Sequence, residues 1–175
     1  MRTLPGMDIR PTADRLRETL FNVLCAGNPE ALTGSVWLDL YAGTGAVGIE
    51  ALSRGAGMVY FVDSSREAAE LIAANLKSLG IETGFRIVNA EMSKALPQLK
   101  TPAPADFVFL DPPYAMQDEY ARTLRASSGS KFVGPSTLVI AEHQKNFDPG
   151  ADFGQLRRYR TLTQGDAALA FYRRA

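Results

Sequence analysis

Between Val36 and Leu52 the chain reads Val36-Trp37-Leu38-Asp39-Leu40-Tyr41-Ala42-Gly43-Thr44-Gly45-Ala46-Val47-Gly48-Ile49-Glu50-Ala51-Leu52, an apolar strand, a glycine turn and then a helical pattern. Gly43 and Gly45 let the backbone turn tightly and approach a ligand closely, and the first turn of the helix offers N–H groups without intrahelical partners. This is a strand–loop–helix nucleotide cradle. Taken literally, Gly43-x-Gly45-x-x-Gly48 is also the dinucleotide fingerprint, with Asp63 about 20 residues on as a ribose-binding acid. Asp39, however, sits at the strand end just ahead of the glycines. It would repel a pyrophosphate and suits a cationic cofactor such as S-adenosylmethionine, whose sulfonium and α-ammonium are positive.

The rest of the chain repeats the same unit. Helical patterns are predicted over 13–24, 46–54, 66–79 and 117–126, and strands over 36–40, 58–62, 85–88, 107–110 and 137–141. Two closing strands, 156–162 and 167–172, are joined by the short turn Thr163-Gln164-Gly165-Asp166 and should pair antiparallel. Strands separated by helices imply right-handed parallel crossovers. The expected fold is therefore α/β: a doubly wound, Rossmann-like methyltransferase sheet of five parallel strands plus a C-terminal antiparallel hairpin, with helices on both faces. In such a sheet the glycine loop, Asp63 and Asp111 border one crevice at the carboxyl ends of the strands.

Composition bounds this reading. With 175 residues and 46% hydrophobic content, residues 1–175 are expected to form a single domain. No run approaches the ~18 apolar residues of a membrane span, and Met1-Arg2-Thr3-Leu4-Pro5 lacks a signal-peptide core. The single cysteine, Cys25, cannot form an internal disulfide, and a cytoplasmic location is consistent. No metal cluster is visible. The only histidine, His143, reads as a polar residue at a strand end. Net charge is zero, yet Arg157, Arg158, Arg160, Arg173 and Arg174 face one acid, Asp166, after residue 153. With Arg2, Arg10, Arg15 and Arg17 these could form a basic rim for phosphates if both termini pack near the ligand face; the alternative is solvated surface charge.

Directly after the apolar run Phe107-Val108-Phe109-Leu110 comes Asp111-Pro112-Pro113-Tyr114. A carboxylate, two prolines that stiffen the loop and an aromatic ring suit the gripping of a flat base by its amino group; the plain alternative is a strand-ending turn. An exocyclic nitrogen is a poor nucleophile because its lone pair is delocalised into the ring. The Asp111 carboxylate and the Pro112 carbonyl can accept its two N–H bonds and aim the lone pair at a methyl carbon, with Pro113 holding the loop and Tyr114 stacking on an extruded base. On the cofactor side, Asp39 is a partner for the methionine ammonium or else a capping carboxylate. Gly43 and Gly45, with Tyr41, Ala42 and Thr44 around them, give close backbone approach, and Asp63 with Ser64 faces the ribose.

Three blocks together carry a resemblance: Arg10-Pro11-Thr12-Ala13-Asp14-Arg15-Leu16-Arg17-Glu18-Thr19-Leu20-Phe21-Asn22, the segment from Leu38 to Gly45 running on to Ile49-Glu50-Ala51-Leu52-Ser53-Arg54-Gly55-Ala56, and Asp111-Pro112-Pro113-Tyr114. The chain resembles, over essentially its whole length, the bacterial 16S rRNA (guanine-N2)-methyltransferases of the RsmD type. The resemblance implies S-adenosylmethionine as donor, S-adenosylhomocysteine as product, and a guanine amino group of small-subunit (16S) ribosomal RNA as acceptor during subunit assembly. It also implies a polar side chain, Glu91, near the adenine amino group, flanked by Ala90 and Met92. Arg10 and Thr12 would lie near the cofactor carboxylate, and Arg15 or Arg17 on RNA phosphate, where the plain reading is a helix entrance with Thr12 as N-cap.

Two departures stand out. Ser65 replaces the second acid often found after Asp63, and the chain begins inside the glycine- and basic-rich hairpin that usually opens family members. Residues 1–12 are thus expected to be a shortened extension, or to belong to a member that reads its substrate through fewer contacts. Rival readings are a DNA adenine-N6 or cytosine-N4 methyltransferase, which would use the same loop, an NAD-dependent oxidoreductase, and a non-catalytic RNA-binding assembly factor. A protein-glutamine methyltransferase usually has Asn where this chain has Asp111.

Overall fold

The computed structural model describes residues 11–175. In chain order the elements are α1 (Pro11–Leu24), β1 (Val36–Leu40), α2 (Ala46–Ser53), β2 (Met58–Asp63), α3 (Arg66–Ser78), β3 (Phe85–Asn89), α4 (Met92–Gln98), β4 (Ala105–Leu110), α5 (Gln117–Ser128), β5 (Val133–Gln144), β6 (Asp152–Phe153), β7 (Leu156–Gln164) and β8 (Ala167–Arg174). The strands form one sheet in the order β3-β2-β1-β4-β5-β8-β7-β6. The first five are parallel and β5-β8-β7-β6 antiparallel, as the alternation of apolar runs and helical patterns requires.

Alternate residues along each central strand feed two cores. Leu38, Leu40, Val62, Val108, Leu110, Val139 and Ala141 pack toward α4 and α5. Trp37, Val59, Phe61, Phe109 and Ile140 pack on the other face against Leu16, Leu20 and Phe21 of α1, Ile49 of α2 and Ile72 of α3. The apolar stripe of α1 thus buries where its spacing places it. Trp37 stacks on Phe21 at 5.5 Å between centroids and tilts against Phe107 at 4.8 Å. Gly48 lets α2 lie on the sheet: a β-carbon there would sit 2.3 Å from Phe61 Cε1 and 2.8 Å from Val59 Cγ1. Gly48→Ala is accordingly expected to destabilise by about 1–3 kcal/mol, the usual cost of overpacking, read as a lower urea midpoint at unchanged slope.

Several elements differ from the sequence expectation. α4 was not foreseen because Pro97 lies inside its seven residues. β5 begins at Val133, ahead of the expected start, despite Gly134 and Pro135. The Thr137 hydroxyl accepts the Gly134 N–H at 2.8 Å and donates to the Ala105 carbonyl at 2.6 Å, carrying the strand across a register shift in β4. β6 is a two-residue strand hidden in a Gly- and Asp-rich stretch. His143 lies within β5, buried, with Nδ1 2.8 Å from the Gln144 carbonyl and its ring edge-on to Phe147.

The basic-rim expectation also requires correction at the C-terminal end. Because β8 runs antiparallel to β5, with Ala167 opposite Gln144 and Tyr172 opposite Val139, Arg173 and Arg174 lie toward the amino end of β5, away from the crevice. Arg157 pairs with Asp152, Arg158 with Asp148 at 2.5 Å, and the Arg173 guanidinium covers Tyr159 at 4.9 Å from its ring centre. The alternative of surface charge is what the fold gives these residues, with Arg157 and Arg158 neutralised locally. No helix among the described residues is long and apolar enough to cross a membrane.

Candidate active site

The parallel register brings the ends of β1, β2 and β4 side by side: Leu40 pairs with Val62 and with Leu110, so the loops after each open into one crevice. Three residues of the first loop adopt the left-handed region, Tyr41 (φ 60°), Gly43 (φ 55°) and Gly45 (φ 76°). Glycine adopts that region freely, whereas Tyr41 carries a β-carbon and is held there against its preference. Its anchor is distant in sequence. The Tyr41 hydroxyl donates to Glu119 Oε2 at 3.0 Å and lies 2.6 Å from Thr123 Oγ1, both on α5. The Tyr41 ring therefore leans on α5, leaving its backbone to the loop.

Asp63 ties the same loop from the neighbouring strand. Its Oδ2 accepts the Gly43 N–H at 2.9 Å and its Oδ1 the Ser65 N–H at 2.8 Å. Ser65 in turn caps α3, its hydroxyl accepting Ala68 N–H at 3.1 Å. Ser64 is exposed beside them. The carbonyl of Asp63 accepts both Ala90 N–H and Asn89 Nδ2, each at 3.0 Å, which draws the β3 loop to the crevice. There Glu91 is exposed and pairs with Lys94 at 3.3 Å. Met92 points the other way, its side chain buried in the α4 core, so that only its backbone can reach an adenine ring.

The Asp-Pro-Pro-Tyr loop leaves β4 with Asp111 N–H donating to the Leu40 carbonyl at 3.3 Å. Pro112 is buried and Tyr114 half-buried, and the Pro112 carbonyl receives the Tyr120 hydroxyl of α5 at 3.4 Å. Burial raises the Asp111 carboxyl from the ordinary carboxylate range to about 7. Outside this loop an open cavity of about 400 Å³ is lined by Tyr114, Met116, Gln117 and Arg122.

Residues 1–173 match the family described as Conserved hypothetical protein 95, which corresponds to the RsmD-type rRNA methyltransferases. The chain belongs to that family. A curated relative from Escherichia coli, the ribosomal RNA small subunit methyltransferase D, is 39% identical over 146 residues, covering 82% of this chain and 70% of the relative. One from Bacillus subtilis, provisionally named an rRNA methyltransferase, is 30% identical over 175 residues, 99% of this chain and 92% of its own. A solved Escherichia coli structure provisionally described as a methyltransferase superposes with a TM-score of 0.78 at 29% identity, covering 99% of this chain and 92% of that one. A conserved hypothetical protein of Streptococcus pyogenes gives 0.78 at 28% identity, over 91% and 95%.

In this RsmD-type chain Asp39 takes the capping role left open by the sequence. Its carboxyl is 2% exposed and Oδ2 accepts the Gly48 N–H at 2.9 Å, in the first turn of α2. Burial raises it to about 8, opposed by that hydrogen bond and reinforced by Asp111 and Asp63. A carboxyl raised in the folded state binds its proton more tightly than the unfolded chain does, so its contribution is complete below 3.8 and is lost as pH rises toward about 8. Asp39→Asn keeps an acceptor for Gly48 and removes the ionisation. It is expected to flatten the decline of thermal stability between those two pH values, measured by melting in matched buffers.

Three functional neighbours were not legible in the sequence. Asn75, fully buried on α3, donates to the Thr44 carbonyl at 3.0 Å and holds the loop from beneath; the only trace is one polar residue on an otherwise apolar helix face. Tyr120 reaches back to Pro112, and Glu142 at the end of β5 stands beside Asp111. In the N-terminal block, Arg10 lies outside the described residues. Thr12 falls inside α1, which is described from Pro11 onward, so the N-cap expectation for Thr12 does not hold. Arg15 is exposed, whereas Arg17 is half-buried, pairs with Asp14 at 3.0 Å and acts electrostatically on Glu142. Among the described residues no group of three or more His, Cys, Asp or Glu is placed to hold a metal ion.

Proposed function

We propose that this RsmD-type enzyme transfers a methyl group from S-adenosylmethionine to the exocyclic N2 of a guanine in small-subunit (16S) ribosomal RNA, during assembly of the subunit. The observation that carries the reading is the meeting of half-buried Asp111 and buried Pro112 with the glycine loop in one crevice. The relatives' names support ribosomal RNA as substrate.

The residues present fit the cofactor. Gly43 and Gly45 expose backbone at the loop, Asp63 offers carboxylate oxygens with spare lone pairs to the ribose hydroxyls, and the buried Asp39 carboxyl can ionise beside an ammonium. Backbone of Tyr41, Ala42 and Thr44, Ser64, and the Ala90–Glu91–Met92 turn complete the wall. When bound, S-adenosylmethionine supplies a sulfonium methyl carbon open to in-line attack. Asp111 and the Pro112 carbonyl take the amino N–H bonds of the base and direct the nitrogen lone pair. Asp111 accepts the proton released after transfer, and Tyr114 stacks on the base, whose unstacking costs a few kcal/mol. Arg15, exposed on α1, is assigned to RNA phosphate.

The test supplies labelled S-adenosylmethionine with unmodified small-subunit particles, free ribosomal RNA and duplex DNA in parallel, followed by nucleoside analysis. Label in N2-methylguanosine from the ribosomal substrates supports the reading, and the ratio of particle to free RNA reports the assembly stage. Label in DNA alone would overturn the substrate while keeping the chemistry.

A further inference from the structure

The end of β5 holds a carboxyl that the reaction as derived does not use. Leu110 of β4 and Ala141 of β5 are register partners and both point into the α4 and α5 core. The next residues are Asp111, where the loop leaves β4, and Glu142, still within β5 and turned toward the opposite face; their backbones follow the register pair at about 5 Å. That opposite face is the face of Asp39, whose register partner on β4 is Phe109.

The charged and titratable groups around this pair are few. Asp111 acts on Asp39 of β1 and on Tyr120 of α5, Glu142 acts on Tyr120 as well, and Tyr114 lies in the same loop as Asp111. From α1, Arg17 acts on Glu142 and is itself held by Asp14. β8 presents apolar Leu169 opposite Glu142. Two neighbouring, partly buried carboxylates at adjoining strand ends repel one another, so that ionisation of one opposes ionisation of the other. Burial, then Asp111, pushes the Glu142 carboxyl well above its ordinary range, while Arg17 draws it down.

Resting on the methyl-transfer reading, we propose that Glu142 is a positioning residue: it shares one proton with Asp111 and, steadied by Arg17, turns the Asp111 carboxylate toward the acceptor amine. Before transfer Glu142 carries the proton and donates it as a hydrogen bond to Asp111. Once nitrogen is methylated, its N–H bond breaks with the electron pair left on nitrogen, and a new O–H bond forms on Asp111. Both carboxyls are then neutral, and one proton passes to solvent before the next turnover.

The experiment compares the full chain with Glu142→Gln and Glu142→Ala, following kcat and KM against pH and the ¹³C resonances of the side-chain carboxyls. Glutamine keeps a donor to Asp111 without the second charge. It is expected to retain turnover within a few-fold, to leave the acid limb of the kcat profile in place, and to remove the alkaline limb at which the wild-type pair gives up its shared proton. Alanine, which leaves Asp111 free to rotate, is expected to lower kcat by about 10²-fold at unchanged KM for the cofactor. In the wild type the pair should titrate in two linked steps that collapse to one in Glu142→Gln. An Asp111 resonance that titrates in the same single step in wild type and Glu142→Gln, with an alkaline limb that persists in the variant, would overturn the proposal, even if Glu142→Ala simply misfolds. If the wild type labels no ribosomal substrate, the functional reading fails, and the carboxyl titration still decides whether the proton is shared.

Discussion

Asp111→Ala is expected to lower methyl transfer by about 10²–10⁴-fold, the range of a lost acid–base partner, while S-adenosylmethionine affinity stays within a few-fold. The separation follows from position. Asp111 begins the loop that the proposed reaction assigns to the acceptor, whereas Gly43 is held by Asp63 from another strand. Single-turnover transfer and calorimetric cofactor binding measured on one preparation check both halves. A fall in affinity that matches the fall in rate would make Asp111 a cofactor ligand. The pH dependence carries the same signature. Since the wild-type carboxyl is raised to about 7 and must be ionised to accept the amine proton, kcat/KM is expected to rise with pH through that value. Stability runs the opposite way. A raised carboxyl favours the folded state below 3.8 and loses that contribution as pH climbs to about 7, so Asp111→Asn should be inactive yet melt higher than wild type at alkaline pH.

Phe61→Ala is expected to cost about 3–5 kcal/mol, a large part of the margin of an ordinary domain. Phe61 is fully buried at the centre of β2, and its ring edge lies beneath both Gly45 and Gly48. Removing it opens a cavity under the floor of the glycine loop. Denaturant unfolding reads the first effect. The second is a weaker hold on cofactor, measured by calorimetry well below the melting point, because Gly45 would lose the surface that fixes its height over the sheet. Phe61→Leu, which fills much of the space, should recover most of both; a leucine variant as weak as alanine would show that the aromatic outline itself sets the loop.

The sheet and the three loops that meet in the crevice were legible because their signals are local. Apolar runs of strand length mark the buried parallel strands, glycines mark the turn after β1, Asp39 lies one residue before the end of its run, and Asp63 and Asp111 end theirs. What escaped was nonlocal or masked by local punctuation. Pro97 conceals α4, and Gly134 with Pro135 conceals the first third of β5, where a single threonine hydroxyl repairs the ladder. Asn75, Tyr120, Thr123 and Glu142 acquire their roles only through contacts made by folding. Tyr41 with Thr123 spans 82 residues of chain, and no spacing rule connects them. The two readings of Asp39 could not be separated in sequence either, since the cap it makes depends on how α2 turns back over β1.

The reversed direction of β8 has a practical consequence. Ala175 N–H donates to the Gln155 carbonyl at 2.8 Å, and Arg174 pairs with Leu156, so the last residue sits at the end of the sheet opposite the crevice. A surface tether or fluorescent reporter joined after Ala175 would hold the molecule with its crevice facing outward, leaving it open to a bulky acceptor.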